Sequence, residues 1–219
     1  MTRAEEIAAG VAAVRGRIVR AAARAGRDPA AVTLVAVTKT KPLEDALAAW
    51  AAGIRAFGEN RVQEAEEKFP ALPPDAERHL IGPLQSNKAN RAARVASVVQ
   101  TVDSVDIARR LARGAEIAGK RLTVFLEVHL GGEVTKSGVE PADTAALAVE
   151  VRKLPALELA GLMTIPPPGD TRPFFAALRS LARELGLPGL SMGMSDDFEA
   201  AVEEGATHVR VGTAIFGRR

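Results

Sequence analysis

Two groups of residues in this 219-residue chain have the types and spacing for chemistry. The first is Lys39, which follows the apolar, β-branched run Thr33-Leu34-Val35-Ala36-Val37-Thr38. Side chains alternate along a strand, so Val35, Val37 and Lys39 share one face. A lysine on an inward face at a strand end is partly desolvated; its pKa falls and its amine can attack a carbonyl to form a Schiff base. A solvated loop lysine is the plainer alternative, and Lys41, just before Pro42, fits that description. The second group lies near the C-terminus, in Leu190-Ser191-Met192-Gly193-Met194-Ser195-Asp196-Asp197 and in Val209-Arg210-Val211-Gly212-Thr213. Gly212 permits close backbone approach, and the amides of Gly212 and Thr213 can face an anion. Gly193 and Ser195 open a helix expected over residues 195–204, and a helix start offers free N–H groups and a partial positive charge. The alternative is that Ser195 is a simple N-cap and Gly212 a turn residue. An amine at one strand end with a phosphate cup opposite suits pyridoxal 5'-phosphate (PLP), whose aldehyde bonds to a lysine. A Schiff-base aldolase acting on a sugar phosphate needs the same pair, so the chemistry alone leaves both open.

The elements that must position these residues alternate. Short apolar runs predict strands over 33–38, 54–57, 79–81, 98–102, 122–129, 157–163, 190–192 and 208–211. Helical patterns separate nearly all of them, over 42–52, 61–69, 86–95, 105–118, 141–153, 174–185 and 195–204. Ahead of them, Ile7, Val11, Val14 and Ile18 recur at three and four, which predicts an amphipathic helix ended by Gly26 and Pro29. Strand–helix alternation means right-handed parallel crossovers and an α/β fold. Eight units match a (β/α)8 TIM-type barrel with an extra N-terminal helix; a doubly wound open sheet is the alternative. No linker or composition shift appears, so residues 1–219 are expected to be one domain, with 1–30 packing on the barrel. In such a barrel the working residues stand at the C-terminal strand ends, where Lys39, Ser195 and Gly212 fall.

Composition removes other classes. Lys plus Arg is 29 and Asp plus Glu 27, a formal charge of +2. No block of like charges indicates nucleic acid or a membrane surface as partner. Cysteine is absent, which excludes disulfides, thiolate metal sites and thiol nucleophiles. No run of about 18 apolar residues predicts a membrane span. The N-terminal Met1-Thr2-Arg3-Ala4-Glu5-Glu6 carries acids where a targeting peptide avoids them, so a cytoplasmic protein is expected.

The chain resembles the pyridoxal phosphate homeostasis protein family. The motifs that carry the likeness run in order: A-V-T-K-T-K-P at 36–42, F-G-E-N-R-V-Q-E at 57–64, H-L-I-G-P-L-Q-S-N-K at 79–88, G-G-E-V-T-K-S-G at 131–138, G-L-M-T-I-P at 161–166, L-S-M-G-M-S-D-D at 190–197 and V-R-V-G-T-A-I-F-G at 209–217. Three positions depart from the family's usual residues, Ser at 38, an aromatic at 61 and Asn near 129; Thr38, Arg61 and His129 stand there instead. The resemblance implies a barrel like the N-terminal domain of alanine racemases, PLP linked to Lys39, and storage, delivery and buffering of PLP without robust turnover. PLP-dependent apo-enzymes are the candidate recipients, and a monomer is expected.

Several residues gain provisional roles from this. Arg210 shares a face with Gly212 and is expected to meet the pyridine nitrogen, where a donor-only group weakens the ring as an electron sink; a core pair with Glu127 is the alternative. Asn60 is a partner for the phenolic oxygen or an N-cap, and Met163 packs near the ring or in the ordinary core. Ser191 and Gly193 complete the cofactor set of Lys39, Asn60, Met163, Ser195, Arg210, Gly212 and Thr213. No metal ligands and no catalytic residues are expected. A racemase of low activity remains the alternative, but it needs a second base. The chain has no tyrosine, and of its histidines His79 and His208 fall at strand starts, leaving His129. Lys136 in the long loop 131–138 and the polar Gln85-Ser86-Asn87-Lys88 have no assigned role.

Overall fold

The computed structural model describes residues 1–131 and 137–217. Eight parallel strands close into a barrel in sequence order: β1 (Thr33–Val37), β2 (Ala56–Glu59), β3 (Glu77–Leu80), β4 (Val98–Val102), β5 (Leu122–Glu127), β6 (Leu157–Met163), β7 (Gly189–Ser191) and β8 (His208–Val211). β8 pairs back onto β1, with Leu34 opposite Val209 and Ala36 opposite Val211. The helices between and around them are α1 (Arg3–Arg24), α2 (Leu43–Ala51), α3 (Val62–Lys68), α4 (Ala89–Val95), α5 (Val105–Ile117), α6 (Thr144–Arg152), α7 (Arg172–Glu184), α8 (Phe198–Glu203) and α9 (Thr213–Phe216). The expected barrel is therefore the one found, and the open sheet is excluded by the β1–β8 pairing.

Strand alternation builds two layers. Leu34 and Ala36 join the large apolar cluster beneath the helices. Val35 faces inward, against the place a side chain at Gly58 would occupy, and Val37 reaches the mouth. Inside, Val98, Phe125 and Met163 form a small separate apolar cluster. Strands β6 and β7 approach so closely that a Cβ on Gly161 would lie 2.1 Å from the Gly189 carbonyl oxygen.

Helix α1 starts at a capping box, in which the Thr2 side chain accepts from Glu5 N–H and the Glu5 carboxylate accepts from Thr2 N–H. Its buried Ile7, Val11, Val14 and Ile18 lie on the stripe expected from the spacing. The stripe packs on α2, α8 and α9, and each such side chain stabilises by about 1.5–3 kcal/mol. Among the described residues no helix is long and apolar enough to cross a membrane.

Several boundaries differ from expectation. β3 begins earlier, at Glu77, and α4 and α6 begin later, at Ala89 and Thr144, each after a short 3-10 turn. Three further differences, at β2, β5 and α8, have local reasons. β2 begins two residues later than the hydrophobic run, because pairing with β1 sets Val35 opposite Ala56 and draws Glu59 into the strand. β5 ends at Glu127, since Val128 makes only an isolated bridge to Val139, so His129 lies beyond the strand. α8 starts at Phe198 rather than at 195. The Asp197 carboxylate accepts from Met194 N–H at 2.6 Å while the Met194 carbonyl accepts from Asp197 and Phe198 N–H, which makes residues 194–197 a turn.

Candidate functional site

The C-terminal mouth of the barrel holds a cavity of about 260 Å³. Lys39, Asn60, Ser195, Arg210, Gly212 and Thr213 line it together, six residues from the ends of β1, β2, β7 and β8. Val37, Ile81, Gly82, Pro83, Ile165, Met194 and Asp196 complete the wall. Sequence reading did not single these out for the site, although Ile81 to Pro83 and Met194 stand at the strand ends where it looked. A wider groove at the opposite end, beside Arg15, Pro29, Arg55 and Glu77, contains none of the candidates.

Lys39 is exposed, so the expected partial desolvation is not found; it sits two residues past the end of β1, in a turn open to solvent. That turn is tightly held. Lys41 N–H donates to the Thr38 carbonyl, and Thr40 takes φ 62°, a left-handed conformation that a β-branched residue rarely adopts. Thr40 N–H donates to the Glu64 carboxylate at 2.9 Å. Beneath the turn, the Thr38 hydroxyl donates to Glu59 Oε1, and Lys68 Nζ donates to the same oxygen and to the Thr38 carbonyl, all at 2.7 Å. Burial pushes the Glu59 carboxyl upward in pKa, opposed by the bonds from Lys68 and Thr38. This cluster ties the residue before Lys39 to the residue before Asn60. Asn60 is not an N-cap: α3 begins two residues later, after Arg61.

On the far wall, the Ser195 hydroxyl accepts from Ala214 N–H at 3.3 Å and so joins the β7 and β8 ends. Ser195 does not cap α8; Asp197 precedes that helix. The N–H groups of Ser195 and Thr213 have no acceptor among the described residues. Main-chain donors grouped in this way suit an anion. Gly193 shapes this wall without lining the cavity. Its φ is 91°, a Cβ there would lie 2.5 Å from that of Ala201, and its carbonyl accepts from Arg210 N–H.

Arg210 is buried at the cavity floor, only 3% exposed. Its Nη1 donates to Ser191 Oγ at 2.7 Å and its Nη2 to the Thr164 carbonyl at 2.9 Å. Burial lowers its pKa to about 10, so it stays charged at neutral pH. It makes no ion pair with Glu127 among the described residues, which sets aside the core-pair alternative; the Glu127 carboxylate instead accepts from the Ser137 hydroxyl. Two expected site residues lie behind the wall. Ser191 reaches the cavity only through Arg210, and Met163 is fully buried with Val98 and Phe125. Strand parity alone could not give their depth.

His129 lines a separate cavity of about 120 Å³ with Glu127, Ser137 and Ile165; Ile165 also borders the main one. Its Nδ1 meets the Glu140 carboxylate at 3.1 Å, and its Nε2 is buried without a partner among the described residues. His79 and His208 are inside the barrel rather than at the mouth, and burial holds His208 down to about 4. Gln85 and Lys88 border another groove beside α3, with Arg61 and Glu64. Lys136 lies outside the described residues. No group of three or more acidic, histidine or cysteine side chains is arranged for a metal among the described residues.

A parallel barrel whose mouth cavity is lined, among the described residues, by Lys39 and by the main-chain N–H donors of Ser195 and Thr213 defines a class, and comparison specifies it. The family model for the alanine racemase N-terminal domain matches residues 11–219. Alanine racemase from Corynebacterium glutamicum superposes with a TM-score of 0.71 at 20% identity, covering 99% of this chain and 61% of that one, which shows the shared fold. A pyridoxal phosphate homeostasis protein of Pseudomonas aeruginosa is 50% identical, with 97% of this chain and 96% of that protein covered. One from Aquifex aeolicus is 42% identical over 93% and 94%. PipY of Synechococcus elongatus PCC7942, solved with PLP bound, has a TM-score of 0.85 and 40% identity, covering 96% of this chain and all of that one. The chain belongs to the pyridoxal phosphate homeostasis protein family.

The Glu59–Lys68 pair makes a stability prediction. Lys68→Met leaves the Glu59 carboxylate buried without its cation, which costs about 3–5 kcal/mol. Glu59 then favours its protonated form still more in the folded state, and a raised carboxyl pKa favours folding as pH falls. Denaturant unfolding should therefore show the deficit of Lys68→Met shrinking from neutral pH toward the carboxylate range. A deficit independent of pH would show that Glu59 is not the group left unpaired.

Proposed function

We propose that the protein binds PLP in the barrel mouth and serves its homeostasis as a single-domain, monomeric, cytoplasmic carrier that stores the cofactor and delivers it to PLP-dependent apo-enzymes, with little or no turnover of its own. The observation that carries this is the arrangement across one cavity: a single amine on the first strand end, a group of unpaired main-chain N–H donors on the last two, and a buried arginine between them. This donor set fits PLP, which has an aldehyde, a phosphate and a ring nitrogen. Its names among the relatives agree.

In this reading Lys39 is the amine that bonds the aldehyde carbon, and Ser195, Gly212 and Thr213 hold the phosphate. Asn60 serves the phenolic oxygen, and Arg210 faces the ring nitrogen. Ser191 and Gly193 act from behind, one on the guanidinium and the other on the loop. Met163 supports the floor from within the core. When bound, PLP supplies an electrophilic carbon and a ring that delocalises charge. Arg210 has only donors, so it cannot take a proton from the ring nitrogen and keeps it from being protonated. Ile165 and Met194, each 39% exposed, leave the rim open, which suits release.

The same residues argue against racemisation, which needs a proton removed on one face and delivered on the other. Lys39 serves one face. No tyrosine exists for the second, and His129 lies in the neighbouring cavity behind Ile165.

Two measurements test this. Ser195→Ala removes the hydroxyl that ties its loop to Ala214 N–H, and Gly212→Val crowds the close backbone approach. Both should displace the N–H donors and weaken PLP by about tenfold to a hundredfold, and weaken pyridoxal far less. Equal losses for both ligands would place the damage in the fold and not in a phosphate cup. Solvent deuterium incorporation at Cα of L-alanine and D-alanine should be no faster with PLP-loaded protein than with free PLP, because a missing acid–base group costs about 10²–10⁴ in rate. Fast exchange with inversion would make the protein a racemase, and its loss in His129→Ala would identify the base.

A further inference from the structure

Five polar side chains cross the inside of the barrel in contact with one another. Arg210 Nη1 donates to Ser191 Oγ at 2.7 Å, and the Ser191 hydroxyl donates to Gln100 Oε1 at 2.7 Å. Gln100 Nε2 lies 2.9 Å from His79 Nδ1, and His79 Nε2 lies 3.1 Å from a Glu77 carboxylate oxygen. Ser191, Gln100 and His79 have no exposure to solvent. Arg210 borders the mouth cavity, whereas Glu77, at the start of β3, borders the groove at the opposite end. The series therefore runs from one end of the barrel to the other.

Its ends fix its direction. A guanidinium only donates and a carboxylate only accepts. Ser191 Oγ accepts a hydrogen bond from Arg210, so its own hydroxyl donates to Gln100. Gln100 turns its oxygen to Ser191 and its NH₂ to His79. His79 Nδ1 is then an acceptor, and the single ring proton sits on Nε2, toward Glu77. Every bond points the same way, and bonds so aligned polarise one another in a low-dielectric interior.

Among the described residues the neighbouring titratable groups are engaged elsewhere or neutral. His208 packs 6.0 Å from His79 and against Phe125, and its burial keeps it neutral near pH 7. The Glu77 carboxyl is held below its usual range, chiefly by the hydrogen bond with His79. Glu127, the nearby buried acid, is bonded to Ser137. Of the five guanidinium N–H groups of an arginine, Arg210 uses two on Ser191 and Thr164 among the described residues, and the side chain borders the cavity.

We propose that Gln100 is a positioning residue for Arg210: backed by His79 and Glu77, it locks the Ser191 hydroxyl as an acceptor and so fixes the guanidinium in one orientation toward the cavity. The consequence for PLP rests on Arg210 facing the ring nitrogen, as in the function proposed above. The orientation of Arg210 itself does not.

The test reads both levels. In the protein without PLP, nitrogen-15 spectra should show His79 as the neutral Nε2–H tautomer and resolved, slowly rotating Arg210 Nη protons. Gln100→Leu should average the Arg210 signals, while Glu77 still holds the His79 proton on Nε2. Ser191→Ala, a smaller change, should average the Arg210 signals and leave the His79 tautomer intact. In the PLP-loaded protein, both variants should shift the visible absorption band and weaken PLP about threefold to tenfold, because Arg210 is displaced rather than removed. Gln100→Glu keeps the oxygen that Ser191 needs, so it should restore the band and the affinity while moving a proton onto His79 Nδ1. An Nδ1–H tautomer in the wild type, or Arg210 signals unchanged in both Gln100→Leu and Ser191→Ala, overturns the proposal. Averaged Arg210 signals with an unchanged PLP spectrum would leave the positioning role standing and refute the placement of Arg210 at the ring nitrogen.

Discussion

The closure of β8 onto β1 is the constraint on which the site depends. A lysine at position 39 and the main-chain N–H donors at positions 195 and 213 have no local reason to meet. The parallel register that sets Ala36 opposite Val211 brings their strand ends to the same rim. Each following residue is then committed: Lys39 beyond β1, Gly212 and Thr213 beyond β8, and the Ser195 turn beside them through its bond to Ala214 N–H. The buried Glu59–Lys68 pair does the same for the neighbouring ends of β1 and β2, so Lys39 and Asn60 are positioned by one cluster.

The barrel divides stability from function between its two layers. The outer layer, where strands meet helices, contains most of the buried apolar side chains. The inner layer combines a small apolar cluster around Val98, Phe125 and Met163, and inward residues such as Val35, with buried polar side chains including His79, Gln100, Ser191 and Arg210. A polar interior is tolerable only when its groups are paired, because each orphaned buried group costs about 1–3 kcal/mol. The series from Arg210 to Glu77 meets that condition link by link. It also lets a guanidinium sit 3% exposed beneath the cavity without an ion pair among the described residues.

The parts of this design legible in the sequence were those governed by period and count. Alternation of apolar runs and helical patterns gave eight strands, and strand parity placed Lys39 and Arg210 toward the mouth. What parity could not give was depth: Met163 and Ser191 lie on the correct side of the sheet but below the cavity. The helix expected from Ser195 starts at Phe198 because the Asp197 side chain closes a turn first, a competition decided by one hydrogen bond. Lys39 is exposed rather than half-buried because the turn at Thr38–Lys41 carries it past the strand end. Gln100 had a visible signal, a polar residue within Val98-Val99-Gln100-Thr101-Val102, but its partners come from β3 and β7 and are not local in sequence.

The central claim is that Lys39, of all the lysines, is the amine that holds PLP. It is tested most directly by loading the protein with PLP, reducing it with borohydride, and mapping the modified lysine by peptide mass spectrometry. Modification at Lys39 is the result the site geometry predicts. Modification at Lys41, Lys68 or Lys136 instead, or no covalent modification, would contradict it.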